Sequence, residues 1–121
     1  MNNAIIRIST QQGLSRWPDF EASVAIRNNP AHAGSVVFET ATTGIATIRT
    51  GVWQCEPCIL KVDQTTNEIC LLIEGKASIA DDITGHTETF QAGDGFVLRK
   101  NSKITWSIDE PLKKYYITIE D

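Results

Sequence analysis

The chain is poor in the residues that build helices. Leucine, alanine and methionine together fill 17 of 121 positions, half the 34 filled by isoleucine, valine and threonine. β-Branched side chains are stiff at χ1 and suit a pleated sheet. The deficit therefore argues against a helical bundle and against a doubly wound α/β fold. No apolar run approaches the ~20 residues of a membrane-spanning helix. Nor does Met1-Asn2-Asn3-Ala4-Ile5-Ile6-Arg7 look like a secretory signal, so a membrane association is not expected. Basic runs are absent as well. Eleven Lys and Arg stand against fifteen Asp and Glu, a net charge of −4, and no basic tract is longer than a pair such as Lys113-Lys114. A duplex-binding surface needs a phosphate-facing basic patch, so nucleic acid is not an expected partner. Three cysteines, an odd number, leave one unpaired in any monomer and point to a reducing cytoplasm.

What is present fits a small folded β protein. A charged fraction of 21% beside 41% hydrophobic residues supplies apolar surface enough to offset chain entropy. The length suits one domain, which needs neither metal nor disulfide to fold. Residues 1–43 are the least regular part, with turns expected at Gly13–Phe20 and Arg27–Pro30 and a short strand at Ser35–Thr40. From Gly44 the pattern tightens. Strands are expected at Ile45–Thr50, Cys58–Val62 and Glu68–Ile73, the last ending at Gly75. A hairpin follows, Lys76–Ala80 and His86–Phe90, joined by a turn through Asp81–Gly85. After a turn at Gly93-Asp94-Gly95 come Phe96–Arg99, Ile104–Ile108 and Tyr115–Ile119. Many short, evenly spaced strands predict an all-β sandwich or small antiparallel β-barrel. Ile104, Trp106 and Ile108 share the inward parity, whereas Ile69–Ile73 is apolar on both faces and predicts a strand covered on both sides.

The order of several motifs resembles the cupin superfamily. Glu68, six residues, then Gly75, followed by Gly93-Asp94-Gly95 and a strand carrying Trp106, is similar to the two cupin motifs. Gly51-Val52-Trp53-Gln54-Cys55-Glu56-Pro57 and Lys114-x-Tyr116 narrow the likeness to the small single-domain Cupin 3 type, with ethanolamine-utilisation and ureidoglycine-aminohydrolase-like relatives. The resemblance implies a jelly-roll barrel over 44–121, with 1–43 as an irregular N-terminal extension packing on it. It also implies a homodimer, paired through a strand edge. Metal-binding cupins carry His-x-His before the motif-one Glu and another His in motif two. Here those positions fall on Lys61 to Gln64 and on Ile104, so Glu68 alone matches. One carboxylate does not hold a catalytic transition metal. No metal and no cofactor are expected.

Glu68 is the first candidate for chemistry: a carboxylate pointing into the barrel would be desolvated, favouring its neutral form and acid/base use. Lys61 or backbone amides are its expected partners if it lies on the rim. Trp53, Cys70, Trp106, Lys114 and Tyr116 are the candidate ligand-binding residues, with Lys114 and Arg99 available to an anion. Trp106 is expected to leave a drier interior than a metal site has. Cys55-Glu56-Pro57-Cys58 has redox-dithiol spacing, but a strand follows it rather than a helix, so two ordinary thiols at a strand junction are expected. His32 and His86 read as solvated loop residues. Two functions follow. One is metal-free binding of a small polar organic ligand. The other is a metal-independent isomerase, lyase or hydrolase acting on a sugar or small amino or hydroxy acid, with Glu68 as acid/base.

Overall fold

In the computed structural model, which describes residues 4–27, 29–42 and 46–121, the alternating segments form strands throughout and no helix appears among the described residues. The strands are β1 (Ser15–Arg16), β2 (Ala25–Arg27), β3 (His32–Thr42), β4 (Ala46–Cys55) and β5 (Cys58–Gln64). They continue with β6 (Asn67–Asp81), β7 (Thr87–Gln91), β8 (Gly95–Leu98) and β9 (Ser102–Glu120). All pairings are antiparallel. The all-β class expected from composition and the jelly roll that the cupin resemblance implies are what is observed. The expected start of the regular pattern at Gly44, its first strand residue Ile45 and the 43/44 boundary lie outside the described residues, as does Asn28.

Two strands are longer than their sequence suggests, and they fold the sheet on itself. Glu68–Ile73 does not end at Gly75; it runs on into Lys76–Ala80 as the single strand β6. Likewise Ile104–Ile108 and Tyr115–Ile119 are halves of β9, which passes through Pro111. The C-terminal half of β9 pairs with β4 and with Asn67–Glu74 of β6, and its N-terminal half pairs with β5 and with Lys76–Asp81. One face of the resulting barrel is therefore ordered β1-β3-β4-β9-β6-β8, and the other β2-β5-β9-β6-β7. The crossing point is a shared corner. There β6 shifts register on either side of Glu74 and again after Lys76, Gly75 takes φ +91°, and a Cβ on it would lie 2.4 Å from the Pro111 carbonyl oxygen. Pro111, lacking an N–H, suits a bend where no ladder bond is required.

Parity holds through the corner of β9. Ile104, Trp106, Ile108, Leu112, Lys114 and Tyr116 are all buried, beside Cys70, Leu72, Ala77 and Ile79 on the neighbouring strand β6. The expectation that Ile69–Ile73 is covered on both sides is corrected. Cys70 and Leu72 are buried, but Ile69 and Leu71 are exposed on the outer surface beside Val97. An apolar run reads alike whether its second face meets a layer of the same chain or the outside. Among the described residues, only one layer lies over this strand.

Candidate functional site

Inside the barrel lies a cavity of about 610 Å³, with Trp106 in its wall. Its walls come from both parts of the chain. The N-terminal segment supplies Trp17, Phe20, His32 and Val36, and the barrel supplies Trp53, Glu68, Trp106, Lys114 and Tyr116 among others. Five of the six candidate residues thus meet at one cavity; Cys70 lies behind the wall, bonded to two of them.

Glu68 opens β6 and Lys114 lies on β9, with Leu72 opposite Lys114 and Thr118 opposite Glu68 in the ladder. Their side chains meet on the inner face, Lys114 Nζ donating to Glu68 Oε2 at 2.5 Å and contacting Cys70 Sγ at 3.5 Å. The Cys70 thiol donates to the same carboxylate oxygen at 2.9 Å. The ammonium also lies 4.9 Å from the ring centres of both Trp53 and Trp106, so two indole faces stabilise its charge. Burial would push the Glu68 carboxyl up. The Lys114 charge, with hydrogen bonds from Cys70 and Lys114 and the nearby Gln64 amide, outweighs it and holds the carboxyl below its ordinary range. Burial likewise opposes the Lys114 charge, but Cys70 and Glu68 raise its basicity overall. The Cys70 thiol, buried beside Glu68, is pushed up to about 12 and stays protonated. Desolvation favours the neutral form of Glu68, as expected, but a cation on the neighbouring strand reverses the net direction. Its partner is Lys114 rather than Lys61.

His32 is a second correction. Instead of a solvated loop residue it opens β3 and is buried under the N-terminal segment. Phe20 stacks on the imidazole with ring centres 3.9 Å apart, and Trp17 meets it edge-on at 6.0 Å. The Pro18 carbonyl can only accept and Trp53 Nε1–H can only donate. His32 therefore carries its proton on Nε2, which donates to Pro18 O at 2.7 Å, while Nδ1 accepts from Trp53 at 3.1 Å. Asn29 holds the same segment, its side chain bonding both backbone polar groups of Phe20. Trp17, Phe20 and Gln64 are cavity residues that sequence alone did not single out. The Trp17 ring lies against Gly34, where a Cβ would come within 2.3 Å of it. A lone glycine in a strand is a signal for such close approach.

The remaining motifs are placed as follows. Cys55 and Cys58 flank the β4–β5 corner with sulfurs 3.8 Å apart, and no helix follows them. Their mutual hydrogen bond holds the Cys58 thiol below the usual range and the Cys55 thiol above it. His86 is solvent-exposed and lies 3.1 Å from Glu88. Arg99 lies away from Glu68, in a second hollow of about 440 Å³ lined also by Asp81, His86 and Glu88. The metal that cupin resemblance implies does not fit these residues. Among the described residues no three His, Cys, Asp or Glu side chains converge, and the charge of Glu68 is already matched by Lys114.

Comparisons with known proteins agree with this architecture. The family model described as EutQ-like cupin domain (Cupin 3) matches residues 35–116. A protein of unknown function from Pseudomonas syringae pv. tomato, of the DUF861 family, superposes with a TM-score of 0.81 at 23% identity over 92% of this chain. This chain spans 46% of that one, a little under half its length. The EutQ protein of Clostridium difficile superposes at 0.62 with 20% identity, covering 75% of this chain and 69% of its own. A DUF861 family protein of Thermotoga maritima is 28% identical over 54% of this chain and 73% of its own, at 0.52. No curated protein matches.

Proposed function

Since the chain belongs to the EutQ-like cupin domain family (Cupin 3), we propose that its barrel is a binding site for a small polar organic molecule and works without a metal. The carrying observation is the aromatic cavity of about 610 Å³ with an internally neutralised carboxylate–ammonium pair in its wall. Ligand sites are typically of roughly 300–1,000 Å³, mainly apolar, with a few placed polar groups. Acid/base chemistry is less well supported. Glu68 is held toward its anion and Lys114 toward its cation, so both are shifted away from the near-neutral poise that suits proton transfer at neutral pH. A thermal-shift screen of sugars and small organic acids, amines and amides, with and without chelator, tests the reading. At least one class should raise the midpoint of the wild type, unaffected by chelator, and do so less for Trp106→Phe. Stabilisation that needs an added metal, or none by any compound, overturns it.

We further propose that the chain pairs with a second copy of itself through the outer sheet face rather than a strand edge. Thr50, Ile117, Ile69 and Val97 lie directly opposite one another across β4, β9, β6 and β8, with Phe38 of β3 opposite Thr50. Leu71 is 49% exposed and Val97 62%. This row is uncharged, so it complements another uncharged face and offers nothing to a charged partner. Light scattering should give a dimer for the wild type and a monomer for Leu71→Glu/Val97→Lys with its thermal midpoint preserved. A monomeric wild type, or a dimeric variant, overturns the assignment.

A further inference from the structure

Many of the hydrogen-bond donors around the cavity are spent on the protein itself. Trp53 Nε1–H goes to His32 and the Tyr116 hydroxyl to Ser35 O. Gln64 Nε2 goes to Thr66 O and Thr118 Oγ1 to Arg49 O. Arg49 is paired with Glu39 at the rim, and Lys114 with Glu68 and Cys70 inside it. Two groups keep capacity for a ligand. The Glu68 carboxylate has a second oxygen, Oε1, with capacity to accept after Oε2 has taken both Lys114 and Cys70. Its side chain also keeps 15% exposure against 8% for Lys114, so it is the more accessible of the two. Trp106 Nε1–H has no partner among the described residues. Ser35 Oγ is the one fully buried orphan among them, so the indole N–H is open to solvent, and the cavity is what Trp106 lines.

Resting on the binding reading above, we infer that the ligand is uncharged and amide-like, its N–H donating to Glu68 and its carbonyl accepting from Trp106 Nε1–H. The aromatic side chains of Trp17, Phe20 and Trp53 then accept its flat apolar part. Charge excludes the alternatives. A carboxylate here meets the Glu68 anion while the nearest cation is already paired, and an ammonium meets Lys114. Leaving a buried partner unmatched costs more than a neutral hydrogen bond returns.

Three probes of one size separate these cases: benzamide, benzoate and benzylammonium. Titration followed by the indole N–H resonances of Trp53 and Trp106 should show benzamide binding at least about tenfold more tightly than either ion, a difference of ~1.4 kcal/mol. Trp106→Phe, which keeps an aromatic ring, should erase most of that preference. Glu68→Gln frees the Lys114 charge, so in that variant benzoate should become the tightest of the three. An ion binding the wild type as tightly as benzamide overturns the amide assignment and leaves the cavity a ligand site. If no probe binds, the amide assignment falls. The wider screen above then decides separately whether the cavity binds any small molecule.

Discussion

Replacing Lys114 with methionine is expected to cost about 3–5 kcal/mol at neutral pH, the range seen when one member of a buried ion pair is removed. The side chain is nearly isosteric, so lost packing contributes little. The loss comes from Glu68, left charged among Trp53, Trp106 and Cys70 without its cation. The pH dependence identifies the cause. In the wild type the Glu68 carboxyl is lowered, so its contribution is present above the ordinary carboxyl value of 4.5 and is lost as pH falls through the folded value. Lys114 is raised above 10.5, so its contribution is complete below that value and is lost as pH rises through the folded one. The pair therefore stabilises across the whole neutral range. In Lys114→Met, burial, the largest influence on Glu68, is opposed only by the Cys70 and Gln64 hydrogen bonds and is expected to lift its folded pKa above the unfolded one. The variant should then gain stability on acidification from pH 7 toward 5, where the wild type is flat. Glu68→Gln/Lys114→Met should recover much of the loss. Urea midpoints across pH measure all three, and a variant as flat as the wild type would show that the pair carries little electrostatic weight.

Gly75→Ala is expected to destabilise by at least ~3 kcal/mol, lowering the midpoint on the order of 10 °C. Two causes act together. A positive φ is costly for an L-residue, roughly 1–3 kcal/mol. The added Cβ also meets backbone, 2.4 Å from Pro111 O and 2.8 Å from Leu112 Cα, which no rotamer change can relieve. Gly85 separates the two causes. It has φ +80° but open space around it, so Gly85→Ala should show the conformational cost alone, about 1 kcal/mol. Equal losses at the two positions would mean that the corner does not depend on close approach. A larger loss at Gly75 would fix this glycine as the point where β6 leaves one sheet for the other.

The corner also explains which parts of the fold were legible. Alternation identified Ile104, Trp106 and Ile108 as inward, and all three are buried. The same parity, interrupted only at the exposed Glu110, reaches Leu112, Lys114 and Tyr116. Pro111 hid that continuity, because a proline usually ends a strand pattern and here only bends one. Gly75 misled in the same way at the end of Ile73. In each case the local signal for interruption was real, and pairing with a neighbouring strand carried the element through it.

His32 and the N-terminal aromatics show the opposite limit. Nothing in the loop of Asn and Pro residues announces that a histidine there will be buried, since its partners Pro18 and Trp53 lie 14 and 21 residues away. Gly34 offered the one local sign, a strand glycine that admits the Trp17 ring.

By itself the sequence determined the class of the fold, the inward row of the last strand and the position of the lone carboxylate that begins β6. Those properties are written in composition and period, which act between near neighbours. Only the tertiary structure decided that Glu68 is an anion, that Lys114 is its counter-ion and that a cavity remains beside them. A carboxyl group's charge is set by the balance of desolvation and the nearest cation. That cation comes from a strand 46 residues away.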